Sequence, residues 1–578
     1  MGLSISFQYA TGAYNSRVKL VAGVLVAAGL VCAQTGIMPL KAVRAGQRGV
    51  GRTVFAGQTI AEFGVEILGV LENAAPKQSI ILGRLSGGPL EQAGVLQGMS
   101  GSPVYIDGKL AGAVAMAFAF AKEPIAGIRP IEEMLEVKLP AGRARLETPV
   151  GEIAAGGAKL VELATPLSMG GFTAATLEEF LPRLRGMGLE PMQGALAGQS
   201  RGGVAGGALA PGAMISVHLV TGDFNVAADG TVTHVEGNRV YAFGHRFLAL
   251  GAAELPFSRA EVLTLLPALN TSFKISAARE PLGVITADYT AAIAGELGGK
   301  AAMVPATIAV AGRQASRYRL EIVRDRLLTP FLLQMALFSA IDATERGAGA
   351  ATVTVKGEVE LAGAVLKIDN TYAADNGAVL PASLAASVPL GYAMQSGFAE
   401  LAPRRVSLQV GVENESRLLR VGELRATPAV ARPGETVNIQ VTLYGAGGKE
   451  TREEANWRVP VGFPAGQLTV MAADALTTNV QDFGFIVNQP PVTLEQVLRV
   501  LNQLRANSTV NVRLLRAAQG YLVRGSALPS PPPSVAQLLR RNPAEAAPAA
   551  ASKVAEFDFT VAGAAVVGSK STQIEIKE

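Results

Sequence analysis

A serine hydroxyl is a poor nucleophile until a base takes its proton and donors hold the oxyanion that forms. The hexapeptide Gly98-Met99-Ser100-Gly101-Ser102-Pro103 supplies a frame for that chemistry. Glycine at 98 and 101 lets the backbone turn tightly and come close to a substrate carbonyl, with the amides of Gly98 and Ser100 aimed into an oxyanion hole. Ser102 is the rival nucleophile to Ser100, and a tight turn without chemistry is the plainer reading of six residues rich in Gly and Ser.

The elements around the hexapeptide would position it. Val104-Tyr105-Ile106 and residues 110–115 flank Asp107-Gly108, a dipeptide that tolerates the positive φ angles of a two-residue hairpin turn. Upstream, Thr53-Val54-Phe55 and residues 63–70 and 79–82 read as strands. An Ala/Gly-rich connector over 141–165 leads to a short helix. Thr176 and Glu179 have capping-box spacing there, Leu177, Phe180, Leu181 and Leu184 share one face, and Pro182 bends or shortens it. Strands return over 214–311, with Asp229-Gly230 as a turn, and Thr329 and Pro330 suit the N-cap and first position of a buried helix to about 345. Residues 353–366 alternate as strands do. From about Val406 a β-sandwich is expected, with strands over 437–443, 456–460 and 467–471. Thr493 and Gln496 form the box of a helix to 505, and 531–533 and 543–551 read as extended or mobile.

The stretch 98–114 resembles the active-serine region of chymotrypsin-like peptidases, where Gly-Asp-Ser-Gly-Gly-Pro leads into a hairpin; the Gly-x-Ser-x-Gly spacing of α/β-hydrolases is absent. Thr53-Val54-Phe55-x-Gly57, the hexapeptide with Val104, Asp107-Gly108-Lys109-Leu110-x-Gly112-Ala113-Val114 and Ile131-Glu132-x-Met134-Leu135 together are similar to one branch, the SpoIVB-type serine peptidase domain. The resemblance implies a double β-barrel, endopeptidase activity on a protein or peptide, and Ser100 as the nucleophile, because Ser100 holds the position of the trypsin-like serine. Met99 stands where trypsin-like zymogens carry an aspartate, so maturation through a salt bridge to a new N-terminus is not expected.

The same resemblance implies a histidine in a Gly-His motif, here Phe243-Gly244-His245 with Pro256-Phe257 after it. In the sporulation peptidases the histidine precedes the serine, whereas His245 follows Ser100 by 145 residues. Either the barrel halves stand in permuted order or the match at His245 is fortuitous; triad geometry is independent of chain order, which favours permutation. The family's acid, shortly before the serine, has no counterpart among residues 74–90. Asp223 and Asp288 are the substitutes, without local motif support.

Fifty-one basic against 47 acidic side chains leave a charge of +4 on 578 residues, too weak a field for a nucleic-acid partner. With 49% hydrophobic and 17% charged residues, 65 Gly and 32 Pro, the chain suits short strands and tight turns. His218, His234 and His245 show no metal-ligand spacing, so no metal or organic cofactor is expected. Arg17 and Lys19 precede an apolar run over 20–33, too short for the roughly 20 residues of a membrane span, and Val31-Cys32-Ala33 offers a signal-cleavage site. Cys32, the only cysteine, would leave with the signal.

These readings combine into a mainly β protein, periplasmic or secreted. A signal peptide occupies 1–33 and the peptidase domain 34–345, with a serine half at 34–140, a connector at 141–213 and a histidine half at 214–345. A β-rich connector at 346–405, a β-sandwich at 406–490 and a mixed region at 491–578 follow. The expected function is a serine endopeptidase acting by acyl transfer. The alternative is a catalytically silent exported protein that binds an envelope protein or a polysaccharide.

Overall fold

A computed structural model describes residues 36–118, 121–137, 153–155, 158–194, 207–268, 271–312, 315–344, 349–488, 493–523, 526–528, 531–542 and 546–578. The signal segment and most of the connector over 141–152 lie outside these residues. Strands hold 55% of the chain and helices 19%, so the fold is mainly β.

Period-two patterning builds the first barrel. Its strands are β1 (Arg48–Ala56), β2 (Thr59–Ala75), β3 (Gln78–Ser86), β4 (Pro103–Ile106), β5 (Lys109–Phe118) and β6 (Ile125–Pro130). They pair in the order β4-β1-β2-β3-β6-β5, and a β4–β5 ladder closes the ring. Phe63, Val65 and Ile67 alternate inward along β2 and meet Ile81, Val104, Val114 and Ile128 in one core. Asp107 and Gly108 take φ values of 48° and 73°, the positive values that the two-residue turn between β4 and β5 requires. That turn fixes the chain that leaves the hexapeptide.

Two short strands, β7 (Ile153–Ala155) and β8 (Ala158–Glu162), add to β5 within the stretch read as a connector. Next, β9 (Thr165–Gly170) and β10 (Leu189–Gln193) pair in parallel on either side of the helix Ala174–Gly186. The N-cap of this helix is Thr173, whose hydroxyl accepts from Thr176 N at 3.3 Å, so the cap sits three residues before the expected one. Thr176 itself is buried in the first turn.

The second barrel comprises β11 (Met214–Gly222), β12 (Asn225–Glu236), β13 (Arg239–Ala242), β14 (Gly251–Leu266), β15 (Phe273–Tyr289) and β16 (Ala292–Leu297). The order β12-β13-β16-β15-β14-β11 closes through a β11–β12 ladder. Asp229-Gly230 is no turn but the middle of β12. The carboxylate of Asp229 is satisfied inside the barrel by the hydroxyls of Ser216 and Ser276, and Gly230 leaves room for the ring of Phe243, which would stand 2.4 Å from a Cβ there. The two closed six-stranded barrels stand in the order serine barrel, then histidine barrel.

The sheet continues from β11 through β18 (Ser316–Val323) to β17 (Met303–Ala311), then to β21 (Pro403–Glu413), β19 (Ala351–Leu361) and β20 (Val365–Ala374). Val406, the expected start of the sandwich, lies inside β21 and pairs with Ala306 and Val359. The helix Leu328–Thr344 begins under Asp325, whose carboxylate accepts from Leu327 N and Leu328 N, while Thr329 turns its hydroxyl to Val323 O instead of capping. The helix Val379–Gln395 packs beside it and was not anticipated, because its apolar residues leave no face to read.

The remaining strands form a sandwich. One sheet joins β25 (Glu450–Arg458), β24 (Thr436–Tyr444), β22 (Leu418–Thr427) and β30 (Ala565–Val567). The other joins β23 (Val430–Ala431), β31 (Ser569–Ile576), β26 (Gly466–Asp474), β27 (Thr509–Val523) and β28 (Ser526–Leu528), with β29 (Ala546–Thr560) on β27. Ile439, Trp457, Val470, Val512 and Ile574 share its core, so the C-terminal residues read as a mixed region contribute strands to the sandwich. The helix Leu494–Asn502 opens with the expected box of Thr493 and Gln496.

Candidate active site

The hexapeptide runs from the end of the serine barrel's inner loop into β4, and its bonding follows from its two glycines. Gly98 and Gly101 take φ values of 88° and 92°, conformations that L side chains rarely adopt. Met99 N donates to Leu96 O at 3.1 Å, Gly101 N to Val114 O at 2.7 Å and Ser102 N to Met99 O at 2.8 Å. The amides of Gly98 and Ser100 have no acceptor among the described residues. These are the two amides expected to face an oxyanion, and they stay unspent while the neighbouring amides of Met99, Gly101 and Ser102 bond to carbonyls of the same barrel. Met99 fills the space between as part of the barrel core, fully buried, which leaves no room for the charged partner of a zymogen salt bridge.

The second barrel grips this loop. Thr231 N donates to Ser100 O at 2.8 Å, and the hydroxyls of Thr231 and Thr233 donate to Gly98 O at 2.9 Å and Gly101 O at 2.7 Å. Thr231 and Thr233 sit two apart on β12, on one face, so a single strand reads both ends of the turn. Phe243 N then donates to Thr231 O at 3.2 Å, which brings the Phe243-Gly244-His245 segment against the same place. A Cβ on Gly244 would lie 3.2 Å from Val114 O, the carbonyl that already accepts from Gly101 N. The residue after Ser100 and the residue before His245 therefore flank one carbonyl, although 145 residues separate the two side chains.

Ser100 Oγ and His245 Nε2 are both buried and without a hydrogen-bond partner among the described residues, and no hydrogen bond joins them. His245 Nδ1 lies 2.6 Å from Arg246 O. A carbonyl can only accept, so Nδ1 carries the proton and Nε2 keeps its lone pair, the tautomer a general base needs. Burial lowers the pKa of His245 from its usual 6.5, and the nearby Glu162 carboxylate opposes that shift. The ring is thus neutral at pH 7. Ser100 is 0% exposed and His245 2%, so the reacting atoms are closed off from solvent in this conformation.

The two substitute acids lie elsewhere. Asp223 is at the turn between β11 and β12, where its Oδ2 accepts from Arg319 N at 2.7 Å. Asp288 is buried and accepts from Phe247 N, Leu248 N and Leu250 N at 2.8 to 3.1 Å, so it shapes the loop that follows His245 rather than touching the ring. The carboxylate that acts on His245 is Glu162 of β8. Its Oε1 is buried and unpartnered, and its Oε2 lies 3.4 Å from Arg246 Nε. Sequence reading missed it because it lies at the end of a stretch without periodicity, and no spacing to Ser100 or His245 marks it. Arg129 of β6, fully buried, adds a cation on the other side, with Nε 3.4 Å from Gly244 O and Nη1 paired to Gln78 and Glu133.

Ser102, the rival nucleophile, turns inward, and its hydroxyl donates to Thr53 Oγ1 at 3.0 Å. His218 is buried with Nε2 2.9 Å from Ser258 Oγ, and burial lowers its pKa to about 4. His234 lies partly buried beside Tyr241. No three potential ligands cluster for a metal, and no helix is long and apolar enough to cross a membrane, among the described residues.

Residues 30–135 match the family model described as SpoIVB peptidase S55. The match covers under a fifth of the chain and contains the whole serine barrel together with Ser100, and it supports a serine peptidase. No curated protein and no solved structure matches the chain.

Proposed function

We propose that this protein is an exported serine endopeptidase that cleaves a protein or peptide by acyl transfer. Ser100 Oγ attacks the scissile carbonyl, His245 Nε2 takes the hydroxyl proton and later returns it to the leaving amine, and the amides of Gly98 and Ser100 hold the oxyanion. Glu162 steadies the imidazolium by its charge. The observation that carries the reading is the pair of unspent amides at Gly98 and Ser100, with a His245 protonated on Nδ1 whose preceding residue, Gly244, faces the same β5 carbonyl that Gly101 binds.

A fluorophosphonate reacts far faster with a serine that has a base and an oxyanion hole than with an ordinary hydroxyl. Incubation of the full chain with such a probe, followed by peptide mapping, is expected to place the adduct on the peptide that contains Ser100. The closed position of Ser100 and its missing bond to His245 favour the rival reading, a catalytically silent binding protein. An adduct absent under all conditions, or one on Ser102, would decide against the proposed mechanism.

Export rests on the apolar run and small residues at 31 and 33. The mature chain is expected to begin after Ala33, and intact mass measurement reads this directly. A full-length chain retained in a membrane would contradict it. Without Cys32 the mature protein has no thiol, so its stability comes from the packed cores of the barrels and the sandwich.

A further inference from the structure

Beneath the nucleophile loop lies a lysine with no counter-ion among the described residues. Lys274 of β15 is fully buried. Its stem packs on Gly98, where a Cβ would stand 3.4 Å from Lys274 Cδ and 3.5 Å from its Cβ and Cγ. Its backbone N donates to Gln97 O at 3.1 Å, and Gln97 N donates to Ser272 O at 2.8 Å, so the end of β15 is stitched to the residue before the loop. Its Nζ donates to Thr53 Oγ1 at 2.7 Å, the same oxygen that accepts from Ser102 Oγ. One side chain thus spans the underside of the turn, in contact with Gly98 at one end and tied through Thr53 to Ser102 at the other.

We infer that Lys274 is a positioning residue for the nucleophile, holding the 98–102 loop in its oxyanion-binding shape only while its amine is uncharged. The inference rests on the peptidase reading and adds a control to it. The groups that meet the amine are Thr53 from β1 and Met214 from β11, whose Sδ lies 3.6 Å from Nζ, while Gly98 lies against its stem and Ser102 is reached through Thr53. On β12, Thr231 bonds Gly98 O and Met214 Sδ, and on β14 Leu265 lies opposite in register. None is an anion. Asp229 of β12 is occupied by Ser216 and Ser276, forms no ion pair with Lys274, and is itself raised to about 6 by burial. His218 of β11 is engaged by Ser258.

Burial without a counter-charge lowers Lys274 from 10.5 to about 7. The folded value lies below the unfolded one, so the unfolded chain holds the proton more tightly between those limits. The stability contributed by this group is least below about pH 7 and grows as pH rises from about 7 toward 10.5. Within the folded protein the same proton, once bound, places an ammonium under Gly98 with one hydroxyl oxygen and a thioether to receive it.

The test is the rate of fluorophosphonate labelling at Ser100 in the full chain between about pH 6 and 9. Lys274→Met keeps a straight stem against Gly98 and removes the charge. At pH 6 a group with a pKa of about 7 is roughly one-tenth deprotonated, so this variant should label roughly tenfold faster than wild type there, with its acid limb moved down to that of His245. Lys274→Ala should share the moved limb but reach a lower plateau, because it leaves a void under Gly98. A Lys274→Met limb that coincides with the wild-type limb overturns the inference and leaves the peptidase reading intact. If wild type is not labelled at any pH, the peptidase reading fails, and amide exchange in wild type decides the rest. Protection at Gly101 and Ser102, corrected for intrinsic rates, that falls below about pH 7 supports a proton-sensitive loop, and protection that is flat across this range refutes it.

Discussion

Ser100→Ala, His245→Ala and the double variant are expected to share one residual rate, at least about 10³-fold below wild type on any peptide the protein cleaves. In the proposed mechanism neither residue has catalytic value alone. Without His245 the hydroxyl of Ser100 keeps its proton, and without Ser100 the imidazole has nothing to activate. What survives is the oxyanion hole, because the amides of Gly98 and Ser100 belong to the backbone and persist in all three variants. His218→Ala and His234→Ala serve as controls, since His218 bonds Ser258 and His234 lies tilted against Tyr241, outside the serine loop. They should retain activity within about threefold if they fold. A double variant far slower than either single one would mean that the two residues act separately, and the acyl-transfer mechanism would have to be abandoned.

The same pair shows why some of this protein is legible in its sequence and some is not. The hexapeptide could be read because its meaning is local: two glycines, a serine and a hairpin turn within a few residues determine a loop and its unpaired amides. The β4–β5 hairpin and the box at Thr493 and Gln496 are local in the same sense. Asp229-Gly230 looked like a turn because both residue types favour turns, yet Ser216 and Ser276, from two other strands, satisfy the aspartate inside a barrel. Ser216 lies 13 residues before Asp229 and Ser276 lies 47 after it, and neither spacing marks a partner. Glu162 and Lys274 were missed for the same reason, since each gains its significance from residues that lie more than eighty or more than one hundred and seventy positions away. The helix Val379–Gln395 was missed for the opposite reason. Its exposed residues Leu384 and Val388 are as apolar as its buried ones, so no polar face gives its period away.

Gly101→Ala is expected to be a severely destabilising substitution. A methyl group there would lie 2.0 Å from Thr231 O and 2.5 Å from Phe243 N, both of them backbone atoms of the other barrel, and Gly101 already holds a φ of 92°. The strain of that conformation costs an alanine on the order of 1 to 3 kcal/mol, and the clash adds to it because ladder pairing fixes the position of both strands. A loss of about 4 kcal/mol or more in denaturant unfolding is expected, enough to unfold many domains outright. Gly57→Ala supplies the comparison: Gly57 has a φ of 60° but nothing within 4 Å of the added carbon, so only strain of about 1 kcal/mol applies. The difference between the two variants measures how tightly the barrels close on each other. If Gly101→Ala unfolded no more easily than Gly57→Ala, the contact of Gly101 with Thr231 and Phe243 would be loose in solution. Ser100 and His245 would then lack the junction that brings them to one carbonyl, because that carbonyl, Val114 O, is held by Gly101 on one side and faced by Gly244 on the other.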